Sequence, residues 1–184
     1  QISDEDSVRS AMGQGTNNYT TSQLARYITA VANEGTVYDL SLIDRVEDID
    51  GDVILQNEPK IKNTVEGISK NTWDLVHAGM QGVVTNNPGV FGKIISSDIT
   101  LSGKTGTAQQ STTHPDHGLF VGFTSGNTGD KTPVALAIRI ANGYSSTFAA
   151  EVGYGVMEYY YGITDPDELI TGTANEVTVS SHSD

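Results

Sequence analysis

The sequence predicts an α/β domain of the α+β kind, in which an antiparallel sheet is flanked by helices. Three observations carry this. Apolar residues recur at helical spacing near each end and in the middle of the chain. Between residues 100 and 141 the period changes to two over three successive runs. Clusters rich in Gly, Asp, Asn and Thr separate the runs. A chain of 184 residues is one domain of ordinary size, and no apolar run approaches the roughly 18 to 20 residues that a membrane-spanning helix needs.

Residues 1–15 are polar, end in Gly13-Gln14-Gly15 and read as a lead-in loop. From Thr21, the spacing of Leu24, Tyr27, Ile28 and Val31 predicts a helix, with Thr20 to Ser22 as caps and Gly35 as its terminator. Leu42 to Val46 and Val53 to Leu55 flank Asp50-Gly51, residues that accept the positive φ of a tight turn, and predict a hairpin. Ser69 is placed to cap a second helix with Trp73, Val76, Met80 and Val83 as its stripe, broken by Asn86-Asn87-Pro88-Gly89. Three consecutive antiparallel strands follow at Thr100 to Gln109, Leu119 to Thr124 and Pro133 to Ala141. A last helix over Thr147 to Tyr161 is expected to face the sheet with Phe148, Val152, Val156 and Tyr159. The domain is expected to span residues 1–165, and residues 166–184 to form a polar, mobile tail.

The third strand turns Val134, Leu136, Ile138 and Ile140 one way and Ala135, Ala137 and Ala141 the other, with Arg139 its one interruption. Both faces therefore look covered, as in the middle of a sheet rather than at an edge. The expectation is a sheet completed by strands outside this chain.

Composition removes several functions. Ten Lys and Arg against 23 Asp and Glu leave a net charge of −13, a field that repels phosphate backbones and anionic lipid, so no nucleic-acid partner is expected. With no Cys there is no thiolate nucleophile, disulfide or Cys-ligated zinc. No signal peptide heads the chain, and its opening at Gln1 suggests a processed or truncated product.

The chemistry lies in Leu101-Ser102-Gly103-Lys104-Thr105-Gly106-Thr107-Ala108-Gln109-Gln110. Gly-Lys-Thr is the tail of a phosphate-binding loop, but the glycine required five positions before Gly103 is Asp98, whose carboxylate repels phosphate. Read instead as a strand, Lys104 and Gly106 lie on one side and Thr105 and Thr107 on the other. On an edge strand beside a cleft, the two hydroxyls reach a bound carboxylate and Lys104 adds positive potential. Gly106 lets a ligand backbone approach, and the Thr107 amide serves a developing oxyanion. A bare Lys-Thr-Gly fits a surface strand with a tolerated glycine equally well. His114-Pro115-Asp116-His117 reads as a solvated turn, with no metal or cofactor expected and His117 near the cleft rim. Adjacent tyrosines at 159–161 face different ways on a helix and read as packing.

Three linked segments carry a family resemblance. Lys104-Thr105-Gly106-Thr107-Ala108-Gln109, the glycine loop Gly13-Gln14-Gly15 followed by Thr21-Ser22-Gln23-Leu24-Ala25, and Leu119-Phe120-Val121-Gly122-Phe123 occur in matching order from about residue 11 to 162. The chain resembles the transpeptidase domain of penicillin-binding proteins, most like the class B monofunctional type. The resemblance implies the penicillin-binding/β-lactamase-like fold and serine acyl transfer on peptidoglycan stem peptides, with β-lactams as mimics of D-Ala-D-Ala. It implies that Lys104 belongs to the active-site hydrogen-bond network and that Thr105 and Thr107 bind the carboxylate. The Thr107 N–H would be half of the oxyanion hole, and Gly106, Gln109 and His117 would border the substrate. It also implies the extracytoplasmic face of the bacterial membrane, with an anchor elsewhere.

The departure concerns the nucleophile. No serine here has a lysine three positions later, so the family's Ser-x-x-Lys is missing. Ser69-Lys70-Asn71 matches Ser-x-Asn but lies between the glycine loop and Lys104, out of the family's order, and reads as a helix cap. Both motifs precede the glycine loop in the family, so the chain looks like the carboxy-terminal portion of such a domain, inactive alone, its partner being the amino-terminal portion. The alternatives are a module that binds β-lactam or D-Ala-D-Ala without turnover, a D,D-carboxypeptidase, and a structural domain.

Overall fold

The computed structural model describes residues 3–15 and 18–169. The expected lead-in loop contains a helix, α1 (Asp4–Ala11). Ser3 Oγ accepts from the Asp6 N–H at 3.1 Å, and Asp4, Glu5 and Asp6 in the first turn complement the helix dipole. None of its residues is buried, so no apolar period announces it.

Next, α2 (Thr21–Ala32) starts from a capping box in which Thr20 Oγ1 accepts from Gln23 N–H and Gln23 Oε1 accepts from Thr20 N–H. It buries Ile28, Ala30 and Val31 but leaves Tyr27 exposed, so the expected stripe is rotated away from the tyrosine. Short strands follow: β1 (Thr36–Tyr38), β2 (Arg45–Glu47), β3 (Val53–Gln56) and β4 (Ile61–Thr64). β2 and β3 form the expected hairpin about Gly51 at φ +88°, where Asp48 Oδ1 accepts from the Asp50 and Asp52 N–H groups. β1 and β4 pair antiparallel outside it, an addition to the sequence reading.

α3 (Lys70–Thr85) starts at Ser69, whose Oγ accepts from Thr72 N–H at 3.2 Å. The Asn-Asn-Pro-Gly break is also a start, because Pro88 opens α4 (Pro88–Ile95), where proline's missing N–H costs nothing, and α4 buries Phe91 and Ile94.

The main sheet is β5 (Ile99–Ala108), β6 (His117–Gly126) and β7 (Ala135–Ile140), antiparallel and in sequential order, as expected. Its two faces carry separate cores. On one, Ile28 and Val31 of α2 and Trp73 and Met80 of α3 pack with Phe123, Val121 and Ala135. On the other, Phe91, Ile94, Leu101, Phe120 and Met157 pack with Leu136, Ile138 and Ile140. β7 is thus covered on both faces, as its alternation predicts, while no strand pairs with its outer edge among the described residues.

The second core is organised by Phe120, which is fully buried. A Cβ added at Gly103 of β5 would lie 2.6 Å from its ring, one at Gly122 of β6 3.1 Å, and one at Gly153 2.6 Å. Gly153 belongs to α5 (Ser146–Tyr161), so three glycines from three elements make room for one phenyl ring. This explains a correction. α5 faces the sheet with Ala149, Ala150, Gly153 and Met157, whereas Phe148, Val152, Val156 and Tyr159 are about half exposed or more. A helix that sits directly over a ring must present small residues, and side-chain size alone pointed to the wrong face.

α5 ends at Gly162 with φ +67°, and Glu158 there is buried, accepting from Thr164 Oγ1 at 2.7 Å. Tyr154 OH accepts from the Lys93 N–H of α4 at 3.2 Å. Burial, then the hydrogen bond with Glu158, pushes the Tyr154 phenol up to about 12. The tail expected from 166 opens with one helical turn, α6 (Pro166–Leu169), and otherwise lies outside the described residues.

Candidate active site

The motif occupies the second half of β5. Ile99 to Gly103 pass from half-buried to buried, whereas Lys104 and Thr107 are exposed and Thr105 and Gly106 half-buried. β5 pairs with β6 on one side, Lys104 opposite Val121 and Thr107 opposite Gly118, and with no strand on the other among the described residues. The expected edge position is therefore present. Lys104 Nζ donates to the Thr105 carbonyl at 2.7 Å, which holds the ammonium close to the strand backbone.

Gly106 differs from Gly103 in kind. A Cβ at Gly106 would meet only Leu119, at 3.6 Å from its Cβ, which is ordinary van der Waals contact. Nothing in the packing demands a glycine there.

The glycine loop reaches the same place. Gln14 Nε2 donates to the Gln109 carbonyl at 3.2 Å, joining two motifs 95 residues apart at the end of β5. Gln109 itself is exposed.

His117, placed by sequence near a rim, is buried in the first residue of β6, opposite Ala108. Its Nδ1 accepts from the Asn142 N–H at 2.9 Å, its Nε2 lies 2.5 Å from Gln110 Oε1, and an Arg139 terminal nitrogen lies 3.1 Å from the same Nε2. Asn142 is held at φ +54°. His114 stays exposed in the turn, where its Nδ1 is 3.1 Å from Thr113 Oγ1. Gln110, Ser111, His114, His117, Arg139 and Asn142 surround a shallow pocket of about 440 Å³ at the end of the motif strand. Sequence reasoning missed Gln110, Arg139 and Asn142 here. Its only signal was a lone charge in an otherwise apolar strand.

Ser69-Lys70-Asn71 is remote from this chemistry in role. Ser69 is a cap, as read, and Lys70 pairs with Asp74 and with Glu34 at 3.1 Å, carboxylates that hold its ammonium above the usual lysine range. Tyr161 OH bonds Thr124 Oγ1 and its ring meets that of Tyr160 edge-on, a packing role.

Residues 2–158 match the family described as the penicillin binding protein transpeptidase domain. Penicillin-binding protein 2B of Streptococcus pneumoniae is 26% identical over 159 residues, covering 79% of this chain and 23% of that protein. Among solved structures, penicillin-binding protein A from Mycobacterium tuberculosis matches with a TM-score of 0.68 at 22% identity, over 83% of this chain and 36% of that one. Pseudomonas aeruginosa PBP2, solved in complex with WCK 5153, matches with a TM-score of 0.62 at 31% identity, over 88% of this chain and 33% of that one. The chain thus spans about a quarter of the curated relative and about a third of the solved chains. With a match over most of its length and the fold shared, the chain belongs to the penicillin-binding protein transpeptidase family, of the class B type.

Proposed function

We propose that this chain supplies the Lys-Thr-Gly-Thr wall of a serine D,D-transpeptidase that cross-links peptidoglycan stem peptides and is acylated by penicillin. The attacking serine comes from a portion outside these 184 residues. In this reading Lys104 belongs to the active-site hydrogen-bond network. Thr105 and Thr107 take the substrate or drug carboxylate, the Thr107 N–H serves the oxyanion, and Gly106, Gln109 and His117 border the bound peptide. The observation that carries the reading is the open edge of β5, where Lys104 and Thr107 are exposed on either side of a glycine that packing does not require.

Two surfaces support a missing portion. Arg139 aside, β7 is apolar on both faces and has no partner on its outer edge among the described residues, and the outer stripe of α5 is apolar as well. A strand and a helix of this kind are ordinarily covered. No helix of the described residues is long and apolar enough to cross a membrane, so location at the extracytoplasmic face rests on an anchor elsewhere in the protein.

The lack of Ser-x-x-Lys also favours a second reading, a module that grips β-lactam or D-Ala-D-Ala without turnover. A carboxypeptidase differs only in water reaching the acyl-enzyme. Labelled penicillin followed by denaturing electrophoresis separates these. The 184-residue chain is expected to stay unlabelled, and a longer polypeptide joining it to a Ser-x-x-Lys segment to carry label. A label on the short chain overturns the account of the nucleophile, and an unlabelled long protein favours the module. Release of D-Ala with and without an acceptor amine then tells cross-linking from hydrolysis.

A further inference from the structure

We propose that the pocket at the end of β5 is a carboxylate subsite in which Arg139 binds an acidic side chain of the peptide lying along Lys104 to Thr107. The proposal rests on the transpeptidase reading and adds a specificity that the reading does not contain.

The argument begins with the histidine. Asn142 N–H is a donor only, so Nδ1 of His117 is the acceptor and the ring proton sits on Nε2. That proton goes to Gln110 Oε1, at 2.5 Å. Arg139 therefore faces Nε2 as a donor facing a donor at 3.1 Å, and the ring offers its guanidinium no lone pair. Nor does Arg139 have an ion-pair partner among the described residues, in a chain where acids outnumber bases 23 to 10. The guanidinium is steered into the pocket with its fork unspent. Ser111 and His114 line the same space and add further donors, so the lining favours an anion, and a planar fork matches a carboxylate.

Position selects the source of that carboxylate. An extended peptide that adds antiparallel to the outer edge of β5 directs its C-terminus toward Lys104 and its preceding residues past Ala108 to Gln110. A peptide on that edge lies three strand spacings from β7, about 14 Å, of which the Arg139 guanidinium, 3.1 Å from His117 Nε2 of β6, already spans one. Arg139 reaching back and an acidic side chain reaching in close that gap. His117 and Gln110 act as positioning residues, since their mutual bond and the Asn142 cap fix the surface against which the guanidinium lies.

The test is an NMR titration of the full 184-residue chain with N-acetyl-D-Glu-D-Ala-D-Ala and with its D-Gln counterpart, which differ in one charge. The expected result is binding of the D-Glu peptide about tenfold tighter, the size of a charged hydrogen bond, with shifts at the Arg139 side chain and His117. In Arg139→Gln the two peptides are expected to bind equally, and Arg139→Lys to retain part of the preference. Amide dispersion in each variant reports that it is folded. No preference in the unmodified chain, or a preference that survives Arg139→Gln in a folded protein, overturns the pocket. The strand reading has its own readout. If the D-Gln peptide binds a Thr107→Val chain as it binds the unmodified one, that reading fails, while an Arg139-dependent preference still upholds the carboxylate site.

Discussion

Residues 99–103 and 104–108 run in one continuous strand against one partner, yet the first half passes from half-buried to buried beneath the helices and the second is open along its outer edge. Each half contains a glycine, and the two are there for different reasons. Gly103 is required by the fold, because a methyl group would enter the Phe120 ring. Gly106 is not, because a methyl group there would meet Leu119 at an ordinary distance. At a strand position that tolerates a side chain and carries none, packing among the described residues does not account for the glycine. The comparison thus separates a glycine that packing requires from one that it does not, without appeal to any relative.

Breaking the comparison at its strongest point means removing the ring. Phe120→Ala is expected to cost about 3–5 kcal/mol in denaturant unfolding, since it empties the centre of one core. Next comes the glycine pair. Gly103→Ala is expected to cost about 1–3 kcal/mol through overpacking, and Gly106→Ala to stay within about 0.5 kcal/mol of the parent. Equal costs would remove the distinction. Ser69→Ala calibrates the scale away from the sheet, at about 1 kcal/mol for a lost cap. The smallest effect is at high pH. The folded state keeps the Tyr154 proton that the unfolded chain releases near its ordinary value of 10, so this contribution is whole below pH 10 and is lost as pH rises toward 12. Tyr154→Phe is expected to flatten the stability profile in that window, and a profile unchanged by the substitution would count against the cause assigned to the shift.

The sheet and its motif were legible because alternation with period two is a strong local signal, and because Lys104 to Gln109 form a contiguous run. What escaped was set by contacts between distant segments. α1 buries nothing and so has no period, and α4 hides behind a proline that signals both an end and a start. The α5 face was misread because Phe120, 33 residues before Gly153, decides which side must be small. The meeting of His117, Gln110 and Arg139 depends on the β6–β7 register, in which Leu119 stands opposite Arg139, and no pattern within a single strand contains that.

The central claim is that residues 104–107 hold the ligand that is acylated, and its most direct measurement is the rate of penicillin acylation in a longer polypeptide carrying both this chain and a Ser-x-x-Lys segment. With Thr105 and Thr107 both replaced by valine, the rate is expected to fall at least about a hundredfold, the scale of losing transition-state donors, while the melting temperature stays that of the parent. An unchanged rate in the equally stable variant would contradict the account.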